Sequence, residues 1–190
     1  MKRILLVTLF ALLALPAMFA QSSSSDWNHG YFGVFANYDR LGYANANYYG
    51  VGGRIGFNVH PHVALEADGA YDWAQNFGDV GTLPTGTIRP RVKLVHADFG
   101  PKFQFGSSGP IRAFVFTKGG LLNYNSSDTF TGTINGIVPG DTNGVFYPGG
   151  GIEAYAGWFG IRGDIGDEMV FSNGDVHHNL RITIGPHIRF

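Results

Sequence analysis

The final stretch, Asn179 to Phe190, alternates strictly. Leu180, Ile182, Ile184, Pro186, Ile188 and Phe190 share one face, and Arg181, Thr183, Gly185, His187 and Arg189 share the other. A period of two held over this length predicts a β-strand between an apolar and a polar environment. Similar runs predict strands near 30–40, 47–59, 62–73, 91–105, 111–123, 144–157, 158–167 and 178–190. Tight connections are expected at Val59-His-Pro-His62, at Gly106-Ser-Ser-Gly-Pro110 and around Gly157, where Pro and Gly supply turn geometry. Longer connections are expected near 41–46, 74–90, 124–143 and 168–177.

The alternation also assigns faces. In the third run Val63, Leu65, Ala67, Gly69, Tyr71 and Trp73 oppose a side that holds Glu66, Asp68 and Asp72. In the fourth, Val95, Ala97, Phe99, Pro101, Phe103 and Phe105 oppose His96, Asp98, Lys102 and Gln104. Closing such strands into a barrel with the apolar side out places a polar set within: Arg54, Glu66, Asp68, Asp98, Lys102, Arg112, Lys118, Glu153, Arg162, Asp164 and Arg181. An eight-stranded barrel has room inside only for side chains, so these charges must pair with one another, and their expected role is structural. The first run fits neither parity clearly. In the fifth, Arg112, Phe114, Phe116 and Lys118 share a parity, so either two Phe lie inside or a bulge shifts the register.

Other features narrow the setting. Lys2 and Arg3 precede an apolar run from Ile4 to Leu15, Pro16 breaks it, and Ala20 precedes a polar stretch, so residues 1–20 read as a cleavable secretory signal peptide. Residues 21–29 then form a short N-terminal segment and 30–190 the barrel. That apolar run is shorter than the roughly 20 residues a transmembrane helix needs. Cleavage leaves 11 Lys and Arg against 14 Asp and Glu, which does not suit a nucleic-acid binder. With no Cys, neither a lipid-anchored cysteine nor a disulfide is available. Charged residues make up only 14% of the chain, below the surface charge a soluble barrel commonly carries, which predicts an apolar outside. A soluble periplasmic ligand-binding barrel would invert the faces.

Signal segment, eight alternating runs, rhythm of short and long connections and terminal Phe190 together resemble a small OmpA-like, porin-family outer-membrane β-barrel. The resemblance implies an all-β, eight-stranded antiparallel up-and-down transmembrane barrel with both termini periplasmic. It also implies contact with outer-membrane lipid and lipopolysaccharide, Phe190 as a signal to the barrel-assembly machinery, and a monomer. The chain departs from full-length OmpA-like proteins in ending at the barrel, so no tethering to the cell wall is carried over. Members of this family serve as structural barrels, adhesins, receptor platforms or narrow pores, and the fold does not choose among them.

Candidate chemistry is sparse. Phe171-Ser172-Asn173 faintly resembles a lipid A deacylase segment, but Val170 stands where that segment has His, so an enzyme is not expected. His60-Pro61-His62 and His177-His178 lack the spacing of a metal site, and no metal or cofactor is expected. Gly50, Gly52, Gly53 and Gly56 lack the context of a dinucleotide loop and read as space for large interior side chains. Tyr31, Tyr48, Tyr49, Tyr71, Trp73, Tyr124, Tyr147, Trp158 and Phe190 sit near strand ends, as interfacial girdles do. The connections 74–90 and 125–143 are polar and Thr-rich, suited to surface contacts with a ligand the sequence does not name.

Overall fold

The computed structural model of the protein describes residues 29–76, 82–83, 86–87, 91–106, 109–126 and 141–190. The proposed signal peptide lies outside them. Eight strands form one closed antiparallel barrel: β1 (Gly30–Leu41), β2 (Ala46–His60), β3 (Val63–Asn76), β4 (Arg91–Phe105), β5 (Ile111–Ser126), β6 (Thr142–Ala156), β7 (Phe159–Ser172) and β8 (Asp175–Arg189). Each pairs with its sequence neighbour, and β8 returns to β1 with Tyr31 opposite Arg189. Closure leaves no sheet edge, which a strand in hydrocarbon cannot tolerate. Gly30 and Phe190 complete the seam by exchanging backbone hydrogen bonds of 3.0 and 2.9 Å. The shortest strand has 12 residues, enough to cross a bilayer at a tilt. A two-residue ribbon, Thr82–Leu83 against Gly86–Thr87, lies in the β3–β4 connection.

Two connections differ from expectation. The alternation predicts a long link at 168–177, yet β7 runs on to Ser172 and β8 begins at Asp175, leaving Asn173-Gly174 between them. Both have positive φ, 50° and 90°, which is what a two-residue hairpin matched to strand twist requires and why Asn-Gly is favoured there. The link after β1 is also short, Gly42 to Asn45. On the side opposite the termini, only the β3–β4 and β5–β6 connections are long.

The ambiguous strands resolve without a bulge in β5. Phe114 and Phe116 point inward, and the pairings of β5 with β4 and β6 keep one register throughout. In β1, Tyr31, Phe35, Asn37, Asp39 and Leu41 face in, while Phe32 and Val34 face out. Interior glycines seat these rings. A Cβ on Gly56 would meet the Tyr31 ring, with Cε2 at 2.6 Å, and one on Gly151 would stand 2.7 Å from Phe114 Cζ. The outward face carries large apolar side chains, among them Val51, Ile55, Phe99, Leu121, Ile152, Ile161, Ile165 and Ile184.

Of the expected girdle, Tyr49, Tyr71, Trp73, Trp158 and Phe190 face outward, but Tyr31, Tyr48, Tyr124 and Tyr147 are buried inside. Strand parity decides this: Tyr31 shares the inward parity of Asn37 and Asp39, and Tyr48 that of Arg54.

Candidate functional site

The barrel interior stacks in layers from the terminal end to the loop end. The first polar layer gathers Arg54, Glu66, Asp68, Lys102, Lys118, Glu153, Arg162 and Asp164, all buried. Arg54 Nε and Nη2 donate side-on to Asp68 at 2.8 and 3.0 Å, and Nη1 reaches Asp164 across the lumen at 3.0 Å. Lys118 Nζ lies 2.6 Å from Asp68 and 2.9 Å from Glu66. Lys102 Nζ donates to Glu153 at 2.7 Å and lies 3.5 Å from Glu66. Arg162 donates to Glu66, to Asp164 at 2.8 Å and to Glu153 at 3.3 Å. Tyr31 also donates its hydroxyl to Glu66. Four carboxylates thus meet four cations, and every cation has at least two acidic partners. Arg162 and Lys102 lie over the Phe114 ring at 4.0 and 5.3 Å, adding cation–π contact.

Arg112, expected in this set, is placed elsewhere. It is the second residue of β5, at the terminal end, half-buried, stacks over Tyr155 at 5.1 Å and lies near the Gly109 carbonyl. It stands opposite Glu153 in register near the β4–β5 turn, but its guanidinium turns to Tyr155 and forms no ion pair with that carboxylate.

A second polar layer lies nearer the loop end. Asp98 and Arg181, both named from sequence, pair here at 2.7 Å. Around them stand Asp72 and His96, which the alternation puts on the inward faces though outside the expected set of paired charges, and Asn37, Asp39 and Glu168, which it does not place inside. Asp72 and His96 carried a usable signal, since they share the inward parity of Asp68 and Asp98. Asp39 was hidden by the ambiguity of β1, and Glu168 by ending β7 at 167. His96 bridges two carboxylates, with Nδ1 3.0 Å from Glu168 and Nε2 2.8 Å from Asp72, and Asp39 lies 3.6 Å from Nε2. Asn37 donates to Asp39 and to both oxygens of Asp72, at 2.9 and 3.1 Å. Arg181 Nη1 also reaches Glu168 at 3.1 Å.

An apolar plug closes the loop end. Leu41, Tyr48, Leu94, Leu122, Tyr124, Val145 and Val170 pack together inside the barrel, all nearly or fully buried. Tyr43, in the β1–β2 turn, covers them and its hydroxyl meets that of Tyr124 at 2.9 Å. Burial, with the Tyr124 phenol beside it, pushes the Tyr43 phenol well above its ordinary value. Toward the terminal end, a cavity of about 10 Å³ beside Arg54, Arg162 and His187 has room for about one water.

The other sequence candidates scatter. Ser172 ends β7 opposite Asp175, directly at the hairpin. His177 packs against Tyr43 with rings 4.6 Å apart, whereas His178 faces outward and pairs with Asp167 at 2.7 Å. The backbone amide of His62 donates to His60 Nδ1 at 3.3 Å in the β2–β3 turn.

No protein-family model matches the sequence, and neither does any curated protein. Solved structures do. Over 85% of the chain the fold is similar to Neisserial surface protein A, with a TM-score of 0.62, 10% identity and 97% of that chain covered. The fold is the eight-stranded outer-membrane β-barrel. The attachment invasion locus protein Ail of Yersinia pestis, solved with the heparin analogue sucrose octasulfate, also matches. There the TM-score is 0.52 at 14% identity, covering 85% of this chain and 96% of that one. At these identities the likeness speaks to fold. Charge inside and apolar side chains outside are the reverse of what a soluble ligand-binding barrel requires.

Proposed function

We propose that this protein resides in the outer membrane, reached through an N-terminal signal peptide, and acts there as a structural or surface-contact barrel rather than as a channel or an enzyme. The observation that carries the reading is the filled interior. Two ion-paired layers and an apolar plug occupy the lumen, so the loop ends are what remains to meet a partner. Gly30 and Phe190 lie at one end of the barrel, which the reading assigns to the periplasm together with both termini, with Phe190 presented to the assembly machinery and the outward apolar face solvated by outer-membrane lipid and lipopolysaccharide.

The partner contact falls to the two long connections, 77–90 and 127–141. The sulfated sugar bound by Ail does not transfer as a partner. These connections contain one Arg, Arg89, and no Lys, too few cations for a polysulfate. Their Thr and Asn, with three Asp against Arg89, favour a weakly acidic, hydrogen-bonding surface.

The test is electrophoretic mobility of the outer-membrane-purified protein with and without boiling, followed by planar-bilayer conductance. A boiling-dependent shift with no steady conductance supports the reading. A stable open pore would overturn the assignment of a filled, non-conducting barrel, and a soluble periplasmic protein would overturn the location.

A further inference from the structure

We propose that the loop-end polar layer is a structural site for a divalent transition-metal ion, held by Asp39, His96 and Glu168. Ligand-capable atoms of these three buried residues lie within 4.8 Å of one another. Donors around a bound Zn²⁺ stand roughly 3–3.5 Å apart, so the set closes once Asp39, 3.6 Å from Nε2, swings toward the Nδ1 side of the ring. One imidazole among carboxylates suits Zn²⁺, Mn²⁺ or Co²⁺ better than an all-oxygen ion such as Ca²⁺.

Two further observations suit this layer to a cation. The first is the contrast between layers. In the terminal-end layer Glu66, Asp68, Glu153 and Asp164 are matched one for one by Arg54, Lys102, Lys118 and Arg162. In the loop-end layer Asp39, Asp72, Asp98 and Glu168 face Arg181 and His96 alone among the described residues. With both ring nitrogens of His96 donating to carboxylates, it is the second cation and two negative charges remain uncompensated in a dry interior; a divalent ion that displaces one ring proton leaves one. The second is the state of the acceptors. Asp39 Oδ1 and Glu168 Oε2 have no hydrogen-bond donor although both residues are fully buried. Water could occupy those lone pairs, but it cannot supply the charge.

The remaining partners then act as supports. His96 ligates through Nδ1, on the Glu168 side, and its Nε2–H donates to Asp72, as in many histidine–metal sites. Asn37 holds Asp39 and Asp72 in place. The plug of Leu41, Leu94, Leu122 and Val170 covers the site from the loop end, so the ion enters while the barrel folds and exchanges slowly afterwards.

The experiment is to refold the full-length protein in detergent with Zn²⁺ or with chelator, desalt it, and measure metal per chain and the urea midpoint of the heat-modifiable form. The proposal expects about one Zn²⁺ per chain, retained when chelator is added after folding, and a higher midpoint for the metal-loaded barrel. Zinc X-ray absorption on the unmutated protein should show one imidazole with oxygen ligands, which keeps the test open should H96Q fail to fold. D39N and E168Q should lose the ion, whereas H60Q/H62Q/H177Q/H178Q should keep it. Metal-free protein after refolding with Zn²⁺, or an ion lost only with the four outer histidines, overturns the site and leaves protons as the neutralising species.

Discussion

The same chemical change should have opposite consequences in the two polar layers. Glu66 receives Arg162, the Tyr31 hydroxyl, Lys118 at 2.9 Å and Lys102 at 3.5 Å. Replacing it by Gln removes one negative charge from a balanced set and turns an amide donor toward cations that are themselves donors. Breaking a buried pair from one side costs about 3–5 kcal/mol, and E66Q belongs at that level because no other carboxylate is spare. Adding K118M restores the balance, so E66Q/K118M should be more stable than E66Q alone. In the other layer Asp39 is one of four acids facing Arg181 and His96, and its Oδ1 lacks a donor. In metal-free protein D39N should therefore cost less than about 1 kcal/mol or stabilise, since a surplus charge is removed and the amide can donate to Asp72. The assay is urea titration in phospholipid vesicles, scored by the fraction of barrel that resists unboiled electrophoresis. Equal losses for E66Q and metal-free D39N, or a double variant as weak as the two single losses summed, would refute the two-layer account.

The fold makes further commitments. A Cβ on Gly56 meets only the Tyr31 side chain among its nearest atoms, so G56A should cost about 1–3 kcal/mol and be partly rescued by Y31A in the same titration. Gly174 sits at φ 90° with nothing near its absent Cβ, so G174A should cost about 1 kcal/mol through backbone strain alone, seen as a lower urea midpoint without loss of the folded band. Phe99 faces outward near the middle of β4, and F99R should cost about 2–4 kcal/mol in bilayers. An F99R variant as stable in vesicles as the unmutated chain would argue against a lipid-facing surface.

How much was legible along the chain follows from what each feature depends on. Side-chain direction in a strand has a period of two regardless of partners, so the eight strands and the inward parity of Glu66, Asp68, Asp98 and Lys102 could be read from sequence. The barrel follows from the same pattern, because apolar faces this large with so few charges leave lipid as the outside. The Asn173-Gly174 hairpin was also written there, in a dipeptide whose φ preference outweighs the polar residues around it. Tertiary structure alone decided which charges meet. Closure and stagger bring Arg54 within 3.0 Å of Asp164, 110 positions away, and Arg181 within 2.7 Å of Asp98. They also split one list of charges between two layers, one balanced and one made acid-rich by Asp39, Asp72 and Glu168, and leave Arg112 at the rim. Pairing across a lumen depends on strand stagger, a property of the closed barrel that no single strand's pattern contains.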